Sequence, residues 1–188
     1  PRSTLFPYTT LFRSLAVCLF GVGSWSAAWA EYEGRLSDPR VSRHLISTDR
    51  PRWQGEDLAG RTILLQSEQG FGDTIQFVRY APMVKARGGR VILRTPQVLL
   101  SLMQTVAGVD EVISDTTMAP AFDVQLPLLS LPLIFDTQVD AVPATIPYVA
   151  PDQDLVARWR ERLGGNPGHR ISVGLVWQGN PGHLNDQR

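Results

Sequence analysis

Between Leu58 and Leu163 the apolar positions follow two rhythms in turn, one of strands and one of helices. Thr62-Ile63-Leu64-Leu65-Gln66 is a short apolar run with the composition of a buried strand. Ser67 to Gly72 reads as a loop, and Asp73 to about Arg87 as a helix that the pair Gly88-Gly89 terminates. Pro82 lies inside that helix, where the missing N–H and the ring clash cost about 3 kcal/mol, so a kink or an early end is expected there. A second strand, Arg90 to Arg94, is followed by Pro96 in a first helical turn and by an apolar stripe of Val98, Leu99, Leu102, Met103 and Val106. Val109 to Ile113 and Phe122 to Leu126 read as the third and fourth strands, and Leu128 to Phe135 as a short apolar helix or turn. After a proline-punctuated stretch, Pro143 to Pro151, a charged helix runs from Asp152 to Leu163, with Leu155, Val156, Trp159 and Leu163 expected to face inward. Strands that alternate with helices imply a parallel sheet covered by helices on both faces. The expected class is α/β with a Rossmann-like sheet.

The flanks behave differently. Leu15 to Leu36 gives two short helical segments, LAVCLFGVG and SWSAAWAEYEGRL, with Ser24 or Ser26 as N-cap and Ala28, Trp29 and Tyr32 at helical spacing. Together they predict a small helical hairpin ahead of the sheet. The same stretch has a second reading: Arg13, the apolar run Leu15 to Val22 and Ala28-Trp29-Ala30 match a secretory signal peptide with its cleavage site. Residues 37–57, with Pro39, Pro51, several arginines and no apolar periodicity, read as a linker draped over a surface. Ile171 to Trp177 reads as one more buried strand, followed by a Gly/Asn/Pro loop. A lone strand is not stable by itself, so residues 169–188 are expected to open a further domain after one spanning 58–168.

Composition narrows the chemistry. In 188 residues, eighteen basic and eighteen acidic side chains cancel, so no overall field draws the chain to nucleic acid or to an anionic membrane. The run LPLLSLPLIF is too short to span a bilayer and is broken by Pro127 and Pro132, which makes it a buried wall. Cys18 is the single cysteine, which excludes an intrachain disulfide and fits a reducing compartment, the cytoplasm, with secretion the alternative if the signal-peptide reading holds. His44, His169 and His183 are scattered with no metal-ligand spacing, and no metal site is expected.

The sharpest motif is Glu68-Gln69-Gly70-Phe71-Gly72-Asp73-Thr74, at the carboxyl end of the first strand and the start of the first helix. Ligands of open α/β sheets bind at those strand ends, so position alone makes it a candidate site. It is no dinucleotide fingerprint, because Ile75 stands where a third glycine belongs and no acid ends the second strand. That weighs against a nucleotide-dependent oxidoreductase, and the absence of Gly-Lys-Ser/Thr excludes a P-loop. The structural alternative is that the glycines shape a turn and Asp73 caps its own helix. Trp53 and Trp159 read as packing residues, not sugar-stacking platforms, since neither ends a strand.

Three resemblances add to this. Thr4 to Ser14, within the opening PRSTLFPYTTLFRS, resembles the in-frame translation of a sequencing adapter, which implies that residues 1–14 are a non-native tail. GSWSAAWAEYEGRL is similar to the last helix pair of tetratricopeptide arrays, so residues 15–36 would be the remnant of such repeats, with further repeats upstream offering a site for a protein partner. PRWQGEDLAGRTILLQSEQGFGDTIQFVRYAPMVKARGGRVIL, with LPLLSLPLIF and VGLVWQGNP downstream, resembles the glycosyltransferase region of bacterial tetratricopeptide-repeat proteins, related to heptosyltransferases. That likeness implies the amino-terminal, acceptor-side half of a GT-B fold, acting with a nucleotide-sugar donor and a hydroxyl acceptor and without a metal or other cofactor. Gly72-Asp73 matches the family's Gly-Asp pair, which implies Asp73 as general base. Gly70 and Gly72 would shape the acceptor loop, Gln69 and Gln76 would bind acceptor hydroxyls, and Glu68 would be a weaker second base. Gly179 and Asn180 match the loop that approaches the donor phosphates, although Asn180 equally fits an ordinary turn. The family's loop ahead of Gly-Asp is more basic than this one, so neither a heptose donor nor a lipopolysaccharide acceptor is implied. With half the cleft missing, these residues alone are expected to be inactive. The alternative is a non-catalytic binding or scaffold protein with a degenerate Rossmann-like domain.

Overall fold

The apolar runs Ile63-Leu64-Leu65 and Val91-Ile92-Leu93 bury both of their faces only if they lie inside a sheet. In the computed structural model, which describes residues 8–164 and 173–175, that is where they are. Strand β1 (Thr62–Gln66) pairs in parallel with β2 (Arg90–Thr95) on one side and with β4 (Val124–Pro127) on the other, while β3 (Glu111–Ser114) adds outside β2. The order is β3-β2-β1-β4, and Leu64 stands opposite Ile92 and Gln125. The α/β class, the parallel sheet and the helical hairpin before it are as expected.

Helices α4 (Phe71–Phe77), α5 (Ala81–Lys85), α6 (Leu100–Met103) and α7 (Leu131–Ile134) connect these strands or follow them. The single helix expected over 73–87 is broken by a 3-10 turn, Val78–Tyr80, so that Pro82 falls in the first turn of α5, where its missing N–H leaves no bond unmade. One sheet face, with Ile63, Leu65, Leu93 and Leu126, packs against Val78, Val84 and Met103. Each fully buried aliphatic side chain there contributes about 1.5–3 kcal/mol. The other face carries Leu64, Ile92 and Ile113 against Ile46, Ala119 and Phe122. On that face the buried Gln66 carboxamide accepts from the Ile46 N–H (2.8 Å) and donates to Gln125 Oε1 (3.2 Å).

Ahead of the sheet, α1 (Tyr8–Gly21) and α2 (Trp25–Tyr32) form the hairpin, with the Phe20 ring edge-on to Trp25 and Trp29. Ser24 takes the N-cap position of α2 without a side-chain cap bond. Trp29 Nε1 donates to the Thr137 carbonyl (3.0 Å) and Ser26 Oγ to Asp136 (2.6 Å), so the hairpin is fastened to the chain just past α7. The expected linker is more structured than its composition suggests. Asp38 caps the short helix α3 (Pro39–Ser42), Arg52 bridges to Gln125 beside β4, and Trp53 is fully buried against Phe135. Trp53 is therefore a packing residue.

The chain divides into two compact units, Pro1–Pro151 and Asp152–Arg188. The second contains α8 (Gln153–Arg162), capped by the Asp152 carboxylate on the N–H groups of Asp154 and Leu155. Its apolar stripe was expected to face inward, and this is corrected: Leu155, Trp159 and Leu163 are exposed and Val156 is only partly covered. An apolar stripe is buried only by a partner surface, and the other described residues of this unit, Val173–Leu175, are outside any strand, with Val173 and Leu175 themselves exposed. The rest of the expected strand at 171–177 lies outside the described residues. Among the described residues no helix is long and apolar enough to cross a membrane.

Candidate functional site

The chain runs from β1 outward through β2 to β3, then returns to place β4 on the opposite side of β1. This reversal opens a crevice beyond the carboxyl ends of β1 and β4, the place where ligands of open α/β sheets bind. Ser67 to Asp73 leave β1 there, and Leu128 to Ser130 leave β4. Ser67 Oγ, and Thr95 Oγ1 at the end of β2, are buried without a partner among the described residues.

The loop after β1 turns on a residue that glycine reasoning misses. Gln69, not Gly70 or Gly72, takes the left-handed conformation (φ 62°), an uncommon one for a residue with a side chain. Its carboxamide donates to the Tyr32 hydroxyl (3.1 Å), which ties the loop to α2. Gly70 is the N-cap of α4, and a Cβ there would come within 3.2 Å of Asp73 Oδ2. The missing side chain leaves room for Asp73 to reach back, and Oδ2 accepts the Gly70 N–H at 2.9 Å, one half of a capping box. Asp73 is partly buried, and Oδ1 accepts no hydrogen bond from any described residue. The carboxylate thus does two things at once: one oxygen caps the helix and the other stays available.

Glu68 lies elsewhere. It is 2% exposed and paired with Arg35, which is fully buried. Arg35 donates from Nε (3.2 Å) and Nη2 (2.6 Å) to Glu68 Oε1, from Nη2 to Ser130 Oγ (2.8 Å), and from Nη1 to Glu33 (2.6 Å) and the Tyr32 carbonyl (3.2 Å). Ser130 Oγ donates onward to Glu33, whose other oxygen meets Arg52. Burial disfavours the Glu68 carboxylate and leaves its pKa raised, although Arg35 pulls it down. Burial acts on Glu33 the same way, but there Arg35 and Arg52 outweigh it and the pKa is lowered. Desolvation opposes the Arg35 charge, and the two carboxylates more than offset it, holding its pKa above the ordinary value. A covered, paired carboxylate has no path to an acceptor proton, so the geometry separates Glu68 from Asp73. Two signals for this cluster stood in the sequence: a lone arginine ending the aromatic segment AWAEYEGRL, and a lone serine inside LPLLSLPLIF.

Gly72 and Gln76 face a cavity of about 530 Å3 between the hairpin and α4, lined also by Phe20, Trp25, Trp29 and Arg79. Of the expected acceptor contacts these two share one space, while Gln69 and Gly70 stay in the loop after β1, bonded to Tyr32 and Asp73, and Glu68 is buried against Arg35. Gly179 and Asn180 lie outside the described residues. No three His, Cys, Asp or Glu side chains among the described residues gather into a metal site.

No protein-family model matches the chain, and no solved structure matches it. The chain is similar to Protein FlbA of Caulobacter vibrioides, 28% identical over 185 aligned residues that span 87% of this chain and 30% of that protein. It therefore spans under a third of the length of that curated relative.

Proposed function

We propose that this chain forms the acceptor side of a nucleotide-sugar-dependent glycosyltransferase of the two-domain GT-B type, with Asp73 as its general base. The observation that carries the reading is the Asp73 carboxylate, held by the Gly70 N–H at the carboxyl end of the central strand with its second oxygen unbonded among the described residues. In the proposed step, Asp73 Oδ1 takes the proton of an acceptor hydroxyl as that oxygen bonds to the anomeric carbon of the donor sugar. The bond from that carbon to the nucleotide's phosphate oxygen breaks, and the departing nucleotide keeps the electron pair. Gln69 and Gln76 orient acceptor hydroxyls, and Gly179 and Asn180 approach the donor phosphates. The much greater length of the Caulobacter relative is consistent with a second half of the cleft in a longer protein. A single cysteine, Cys18, is in keeping with a reducing compartment such as the cytoplasm.

A specific observation favours a second reading, a binding or scaffold protein: Asp73 does cap its own helix, and Glu68 at the start of the same loop is consumed in a buried pair with Arg35. Turnover of a panel of nucleotide sugars separates the two. The enzyme reading expects transfer from a longer protein carrying this segment and none from the 188 residues alone. Transfer by the short chain contradicts the division of labour, and no turnover from a folded long protein with any donor favours the scaffold.

A further inference from the structure

We propose that the aromatic cavity between the hairpin and α4 is a binding site for a small amphiphilic anion, an apolar ring system bearing one sulfonate, carboxylate or phosphate group. Its size, about 530 Å3, falls in the range of pockets that enclose a drug-sized ligand. Phe20, Trp25 and Trp29 form one wall, and Ile75, Phe77 and Tyr148 face them. Rings packed edge to face, such as Phe20 on Trp29 at 4.6 Å, make that wall stiff, so an apolar guest meets a surface already in place.

Charge selects the rest of the guest. Among the described residues no aspartate or glutamate lines the cavity, and Arg79 does. The Arg79 guanidinium is fixed over the Tyr148 ring at 4.5 Å, with Nε donating to the Gln76 carbonyl (2.9 Å) and Nη1 to the Pro143 carbonyl (2.8 Å). A guanidinium carries five N–H donors, so three remain unbonded among the described residues, in a fork suited to the oxygens of an anion. The Gln76 side chain adds an exposed carboxamide beside it. Gly72 lines the cavity, and a Cβ built there meets no atom within 4 Å, so a larger side chain at this position has open space to occupy. Gln76 is shared with the proposed acceptor site, but probe binding is read without a sugar donor and without Asp73, so failure of this site and failure of the proposed activity are told apart.

The probe is 8-anilinonaphthalene-1-sulfonate, with the neutral N-phenyl-1-naphthylamine as its uncharged counterpart, titrated against the whole chain. The expected result is saturable one-to-one binding of the sulfonate, with energy transfer from tryptophan. Gly72→Leu replaces a poor helix former with a good one and fills part of the cavity, so it weakens both probes at least about tenfold while near-ultraviolet circular dichroism is unchanged. Gln76→Trp, on the exposed side of α4, blocks the same space and serves if Gly72→Leu does not fold. Arg79→Gln weakens the sulfonate by about tenfold and leaves the neutral probe alone. Non-saturable binding, or binding untouched by both blocking variants, overturns the site. Equal loss of the two probes in Arg79→Gln overturns the anionic end of the ligand.

Discussion

Arg35 shows what one residue does here. Five hydrogen bonds satisfy a guanidinium with no exposure, and they join the end of the hairpin region to both loops of the crevice, through Glu68 after β1 and Ser130 after β4. Breaking such a pair on one side strands the other charge in a dry site, which costs about 3–5 kcal/mol, whereas removing both charges costs far less. Arg35→Met is therefore expected to lose about that much stability in urea unfolding, and Arg35→Met with Glu68→Gln to recover much of the loss. Additive losses would mean that the two side chains do not act as a pair. The sequence made Glu68 visible as a carboxylate next to a loop but could not show its partner, 33 positions earlier. Periodicity locates neighbours along an element, and this contact joins two elements. Asp73 was legible for a local reason, because its partner, Gly70, is three residues away.

Elements follow local rules where the rules are strong. The two central strands match their apolar runs, whereas β3 and β4 begin at Glu111 and Val124, later than the runs that predicted them. Ahead of β3 the chain is still leaving a turn, where the Val109 N–H donates to the Val106 carbonyl (3.4 Å). The break before Pro82 brings its backbone against Gly108, where a Cβ would lie 2.7 Å from Pro82 Cα and where φ is +84°. Gly108→Ala is expected to cost more than about 1 kcal/mol, from the clash and the left-handed backbone together, and a neutral result in thermal unfolding would contradict the close approach. At α3, Arg40 holds the Asp38 carboxyl at a pKa of about 2, first through its side-chain hydrogen bonds and then through its backbone N–H. A carboxyl depressed in the folded state stabilises at every pH above its unfolded value near 3.8, and that stability is lost as pH falls toward 2. Glu33, Glu56 and Asp110 are also lowered and act in the same direction. Asp38→Asn should therefore lower the melting temperature at pH 6 and leave a shallower fall between pH 4 and pH 2. An unchanged acid slope would remove Asp38 from the account.

At the scale of the molecule, the hairpin is part of the site and not an appendage. Tyr32 holds Gln69, Trp29 holds the segment after α7, and Trp25 with Trp29 walls the cavity that Gly72 and Gln76 enter. The sequence separated these parts into a helical remnant, a linker and a sheet domain because composition changes at each boundary, while packing joins them in one unit. The same packing leaves one carboxylate with an oxygen unbonded among the described residues at the reversal of strand order, and the proposed chemistry rests on it. The most direct test compares sugar transfer by a longer protein carrying this segment with and without Asp73→Asn, with donor binding measured in parallel. Asparagine can still accept the Gly70 N–H, so the helix cap survives while the base is gone. The account predicts a fall in kcat of about 10²–10⁴-fold with donor affinity unchanged. A variant that transfers sugar at the wild-type rate would show that Asp73 is a helix cap and nothing more.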